Sequence, residues 1–162
     1  MSGVPCFRHL ASVLRRQLPY LAPMLAWMAV IALLSTDLGS EQHTTGALVS
    51  VVRWLSPAAR TEDIAARIEP WSWAIRKLSH VTEYAVLAGL ACRWLLRAFS
   101  APRRTWQLGG LAVSGVYAAL DELHQFFVLT RSGSSGDVLV DLVGATLGMV
   151  LFAWHMARGT RS

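Results

Sequence analysis

Four long apolar runs, separated by short polar breaks, dominate the chain. They are LPYLAPMLAWMAVIALLS (18–35), LSHVTEYAVLAGLACRWLLRAF (78–99), WQLGGLAVSGVYAALDELHQFFVL (106–129) and VLVDLVGATLGMVLFAWHMA (138–157). A helix of about 20 residues spans a hydrocarbon layer of roughly 30 Å, so each run is long enough to cross a bilayer. Residues 36–76 differ: they mix polar and apolar positions, with Pro57 and Pro70 as breakers. Within them, Leu48, Val51, Val52 and Leu55 share one helical face of TGALVSVVRWLSP (45–57). TEDIAARIEPWSW (61–73) starts with Thr61 in a capping position and acids in its first turn. The pattern predicts an all-α fold: an integral membrane bundle of four transmembrane helices, with two short amphipathic helices between the first and second. One domain (18–157) carries this bundle. It is flanked by a basic segment (1–17) and a basic tail (158–162) and interrupted by an extracytoplasmic insert (36–76).

Composition sharpens this expectation. The chain is 54% hydrophobic and 15% charged, against about a quarter charged in ordinary soluble domains. The net charge of +5 is mostly arginine placed beside the apolar runs, which suits membrane topology better than a phosphate-binding groove. Nucleic acid is therefore not an expected partner. The first apolar run is long for a signal peptide, and no cleavage pattern follows it, so an uncleaved span is expected. Arg8, Arg15, Arg16, Arg97, Arg103, Arg104, Arg158 and Arg161 vote for one side. Both termini are accordingly expected in the cytoplasm, in the inner (plasma) membrane. Trp54, Trp71 and Trp73 suit an interfacial level. Cys6 and Cys92 form neither a disulfide framework nor a CxxC pattern.

Polar residues gather where this topology puts the extracytoplasmic helix ends. Lys77, His80 and Tyr84 follow i, i+3, i+7 and share a face. Gly110, Ser114, Tyr117, Asp121 and either His124 or Gln125 line a stripe on the third predicted span, and Asp137, Asp141, Gly144 and Gly148 line one on the fourth. The lower part of that last stripe is a small-xxx-small surface that admits a close neighbour. A charge at mid-bilayer costs about 2.5–3.5 kcal/mol on insertion scales, so a cluster of them calls for an internal reason. Two reasons stand side by side. Interhelical hydrogen bonds of these groups hold membrane helices together. Alternatively, they form a site in which His80, Glu122 and Asp121 are the catalytic candidates, histidine because it titrates near neutrality. Lys77, Tyr84, Gln125, Arg131, Asp137 and Asp141 are then the substrate-binding candidates, with Lys77 and Arg131 suited to a phosphate. His80 with Glu83, and Asp121 with His124, have a spacing found in helical metal sites. Lys77 and Arg131 oppose a divalent cation and no HExxH motif occurs, so no metal is expected. No cofactor is identifiable. Ser132, Ser134 and Ser135 lack a nucleophile context and read as part of a flexible turn.

These residues also carry a resemblance. RKLSHVTEYAVLAGL (76–90) and YAALDELHQFFVLTRSGSSGDVLVDLVGATLG (117–148) resemble the VanZ-like family of small bacterial integral membrane proteins. That family shows K-x-x-H-x-x-x-Y opening one helix, D-E-x-x-Q closing the next, an arginine in the loop, then an aspartate and a glycine on the last helix. Lys77, His80 and Tyr84, then Asp121, Glu122 and Gln125, then Arg131, Asp137 and Gly144 fill those positions. LSTDLGSEQHT (34–44) looks like the family's serine-bearing segment. The resemblance runs from about residue 20 onward. Two features depart from it: FFVLTR stands where many relatives have a Pro-Gly, and the 45–73 region is longer than in compact relatives. The resemblance implies a cell-envelope membrane protein, in a family named for resistance to a lipid-bearing glycopeptide antibiotic, and supplies no reaction. The expected partners are membrane lipids and an amphiphilic envelope substrate: an outer-leaflet lipid, a lipid-linked precursor or a lipoglycopeptide. A non-catalytic lipid-binding or structural protein is the alternative. A small transporter fits less well, because four helices without an inverted repeat would have to oligomerise.

Overall fold

The computed structural model describes the backbone of residues 4–36, 41–57, 60–127 and 135–159, and the side chains of 15–36, 45–57, 60–127 and 136–159. The fold is all-α. Five helices follow in order: α1 (Val4–Leu34), α2 (Glu41–Leu55), α3 (Thr61–Phe99), α4 (Arg103–Phe126) and α5 (Ser135–Gly159). Helices α3, α4 and α5 pack on one another, and α1 and α2 pack against α3.

Two expected boundaries move. The first helix begins at Val4 and not near Leu18, so Pro19 and Pro23 lie inside it. Pro5 falls in the first turn, where a helix tolerates proline, and Pro19 and Pro23 each remove one backbone bond without ending the helix. The second change is larger. The short helix expected over 61–73 is not separate: it runs through Pro70 into the span expected over 78–99, giving a single α3. Tertiary packing overrides the local breaker here. Ile64 and Ser72 on either side of Pro70 are buried, and α2 packs along α3. Arg60 with extended backbone, and not Thr61, is the N-cap; it makes no side-chain cap bond, while Glu62 and Asp63 occupy the first turn.

α3 ends at Ser100, which takes the left-handed conformation (φ 53°) and donates its backbone N–H to the Leu95 carbonyl. α4 follows after Pro102, whose carbonyl accepts from the Thr105 N–H at 2.9 Å. The connection from Ser100 to Pro102 is therefore a tight helical hairpin turn.

Buried positions recur at helical spacing on each core helix. On α3 they are His80, Tyr84, Leu87, Ala88, Ala91 and Cys92; on α4 they are Trp106, Gly110, Ser114, Ala118, Asp121, Glu122 and Gln125. On α5 the series is Asp137, Asp141, Gly144, Ala145, Gly148 and Ala153. Gly144 and Gly148 face the backbone of Val81 and Ala85; a Cβ on either would collide with it. The expected small-residue surface thus lets α5 lie almost backbone to backbone on α3. At the opposite end of the core, Trp106 packs edge-on against Phe152 with 5.5 Å between centroids.

α1 adds two polar pins. Trp27 Nε1–H donates to the Glu83 carbonyl (2.9 Å), and the Tyr117 hydroxyl donates to the Met28 carbonyl (2.5 Å). Among the described residues, two helices have spans long and apolar enough to cross a membrane by length and composition: Arg15–Leu34 and Gly136–Gly159.

Candidate functional site

The close approach of α5 to α3 determines where the polar groups meet. Val81 touches Gly144, so the preceding residue on α3, His80, lies beside Asp141, three residues before Gly144 on α5. His80 Nδ1–H donates to Asp141 Oδ1 at 2.9 Å. Both are buried, Asp141 completely so at 0% exposure. One turn earlier on each helix, Lys77 Nζ donates to Asp137 Oδ1 in a partly buried ion pair. The Lys77 ammonium also stands 5.9 Å from the centroid of the Trp73 ring. Two rungs thus tie α3 to α5 at the α4–α5 end of the core.

α4 supplies the third side. Gln125 Nε2–H donates to Asp121 Oδ2 at 3.0 Å, and both are buried. Four residues advance a helix by 400°, close to a full turn, whereas three leave a 60° offset. Gln125 therefore completes the stripe, and His124 is exposed. Glu122 is buried and points toward the α3–α5 rung: His80, Glu122 and Asp141 each offer one nitrogen or oxygen, all within 4.8 Å of one another. Tyr84, one turn below His80, is completely enclosed, with its ring 6.5 Å from that of Tyr117. Its hydroxyl has no hydrogen-bond partner among the described residues, and neither does Asp141 Oδ2.

The structure therefore brings together Lys77, His80, Tyr84, Asp121, Glu122, Gln125, Asp137 and Asp141. Arg131 lies outside the described residues, as do Ser132 and Ser134. Three contributions escaped the sequence reading. Trp27 and Met28 reach the site's surroundings from α1, and an apolar groove runs between α1 and α4. Met28, Ala112, Val113, Val116, Tyr117 and Leu120 line this groove, whose volume is about 370 Å³. Its lining ends at Leu120, one residue from Asp121. Apolar residues on an apolar helix gave no signal of a groove; only the α1–α4 juxtaposition reveals it.

A helical core with apolar faces outside and paired acids, a histidine and a lysine inside is the architecture of a membrane-type protein with an internal polar site. The chain belongs to the VanZ/LLP1 family, which it matches over residues 20–156. That range takes in the apolar span of α1, the whole polar cluster and nearly all of α5. No curated protein matches the chain, and no solved structure does. Family membership, together with the two apolar spans, supports a membrane protein.

Proposed function

We propose that this is a four-span protein of the plasma membrane with both termini in the cytoplasm. Its buried polar cluster, at the extracytoplasmic end, receives the headgroup of an amphiphile: an outer-leaflet lipid, a lipid-linked envelope precursor or a lipoglycopeptide. The family name fits a role in antibiotic resistance.

One observation carries the reading: toward the α4–α5 connection, both helices bury their acids and expose their leucines and valines. On α4, Leu108, Val116, Leu120 and Leu123 are exposed while Asp121, Glu122 and Gln125 are buried; on α5, Leu139, Val143, Leu147, Val150 and Leu151 are exposed while Asp137 and Asp141 are buried. In water this arrangement would forgo apolar burial and bury charge at once. In a bilayer it is the favourable one. On α4, polar side chains directed inward also lower the average hydropathy while the exposed positions from Leu108 to Leu123 stay apolar. α4 has 24 residues, about 36 Å of helix, sufficient for a bilayer. The groove between α1 and α4 is apolar, suits an acyl chain, and its lining reaches Tyr117 and Leu120, within one helical turn of Asp121 along α4. An amphiphile lying in it would place its headgroup at the cluster. Lys77 is the group suited to a phosphate there, and His80, Glu122 and Asp121 are the groups suited to proton transfer.

A second reading has an observation in its favour. The Lys77–Asp137 and His80–Asp141 rungs both join α3 to α5, so the cluster can act as interhelical cement. Substituting His80→Ala and Glu122→Gln, with membrane insertion and protein level monitored, separates the two. The amphiphile reading expects normal insertion with loss of the envelope phenotype in both variants. Full phenotype in both, at normal protein level, contradicts it. Loss of protein in both favours cement.

A further inference from the structure

We propose that His80, Glu122 and Asp141 bind one divalent cation of the zinc class. The donor set is one imidazole and two carboxylates, one from each of α3, α4 and α5, with a ligand atom from each inside a 4.8 Å envelope. A shell of nitrogen and oxygen at about 2.0–2.2 Å from Zn²⁺ spaces its donors roughly 3.4 Å apart in tetrahedral geometry. The three donor groups already lie within 4.8 Å of one another, and ligation by Nδ1 exchanges the proton it shares with Asp141 Oδ1 for the ion. Imidazole selects for zinc-class ions over Mg²⁺ or Ca²⁺, which favour all-oxygen shells.

Two further observations point to a ligand here. Asp141 is fully enclosed, yet its Oδ2 has no hydrogen-bond partner among the described residues. The hydroxyl of Tyr84, also fully enclosed, has none either. A buried carboxylate oxygen left unbonded is costly, and a cation at that oxygen would recover the loss. The expectation of no metal rested partly on Lys77. In the structure that ammonium is bound to Asp137 one turn away, so its charge is neutralised there and not directed at the trio. The inference rests on the proposed function only for the site's location. With a cation bound, His80 and Glu122 serve as its ligands.

The test is metal content of the full chain, purified in detergent without a polyhistidine tag, stripped with chelator and dialysed against Zn²⁺, Mn²⁺, Mg²⁺ or Ca²⁺ separately. The proposal expects about one Zn²⁺ retained per chain, and a Zn²⁺-dependent rise in the thermal unfolding midpoint. Retention should fall at least tenfold in Glu122→Gln and in Asp141→Asn, and stay at wild-type level in Thr146→Ala, an exposed position on α5. Glu122→Gln preserves shape, and circular dichroism identifies any variant that fails to fold; the wild-type result decides in that case. No Zn²⁺ on folded wild type overturns the site, as does retention of Mg²⁺ or Ca²⁺ in preference to Zn²⁺. Equal retention in folded Glu122→Gln and Asp141→Asn places the metal elsewhere and overturns it too. Because the measurement reads bound metal and not bound lipid, its failure leaves the amphiphile reading untouched.

Discussion

Asp141 combines complete enclosure with a hydrogen bond to His80 across the α3–α5 interface. Replacing Asp141 with Asn keeps the shape and removes the charge. We expect a loss of about 1–3 kcal/mol, the range for a buried polar group deprived of its partner, read as a lower thermal unfolding midpoint in detergent. Ser100 offers a prediction of opposite sign. It is a non-glycine residue in the left-handed region at the end of α3, a conformation that costs an L-residue about 1–2 kcal/mol. Ser100→Gly should therefore raise the unfolding midpoint, by up to about 1 kcal/mol of stability, with no effect on the polar cluster. At this scale much of the site was legible. The i, i+3, i+7 spacing of Lys77, His80 and Tyr84 is a direct consequence of helical geometry. Spacing favoured Gln125 over His124, which stands one residue off the Asp121 stripe, and Gln125 hydrogen-bonds to Asp121. Which acid pairs with which base could not be read, since Lys77–Asp137 and His80–Asp141 depend on the register of α5 against α3.

That register is an element-scale property, set by Gly144 and Gly148 against Val81 and Ala85. The small-xxx-small stripe was visible in the sequence; its partner helix was not. A valine at Gly148 would drive its Cβ into the Ala85 carbonyl and push α5 away from α3. We expect destabilisation of at least the ~1–3 kcal/mol typical of overpacking. Loss of the His80–Asp141 rung should follow, so Gly148→Val should mimic Asp141→Asn in any functional assay while leaving every polar side chain in place. An unfolding midpoint and phenotype equal to wild type would contradict the backbone contact. The continuity of α3 through Pro70 was hidden for a related reason. Proline is a local signal, whereas the burial of Ile64 and Ser72 is a tertiary one. Helix type was thus readable from periodicity over long segments, and helix boundaries were not.

For the whole molecule, polar-inside and apolar-outside organisation makes the cluster a feature of the bundle and not of any one helix. The proposed orientation rests on arginines at the helix ends. A reporter active only outside the cytoplasm, fused after Gly159, should be silent, and the same reporter inserted near Pro57 should be active. The reverse pattern would move the cluster to the inner leaflet. The family was legible from the order and spacing of Lys77, His80, Tyr84, Asp121, Glu122, Gln125 and Asp137, and the match over 20–156 agrees. The apolar groove beside Asp121 was not, because it belongs to two helices distant in sequence. The central claim is that this groove and cluster hold an amphiphile. Native mass analysis of the purified chain tests it most directly. We predict a defined amphiphile bound to wild type, and its loss or replacement in folded His80→Ala but not in Thr146→Ala. An identical bound-lipid spectrum in wild type and His80→Ala would contradict the account.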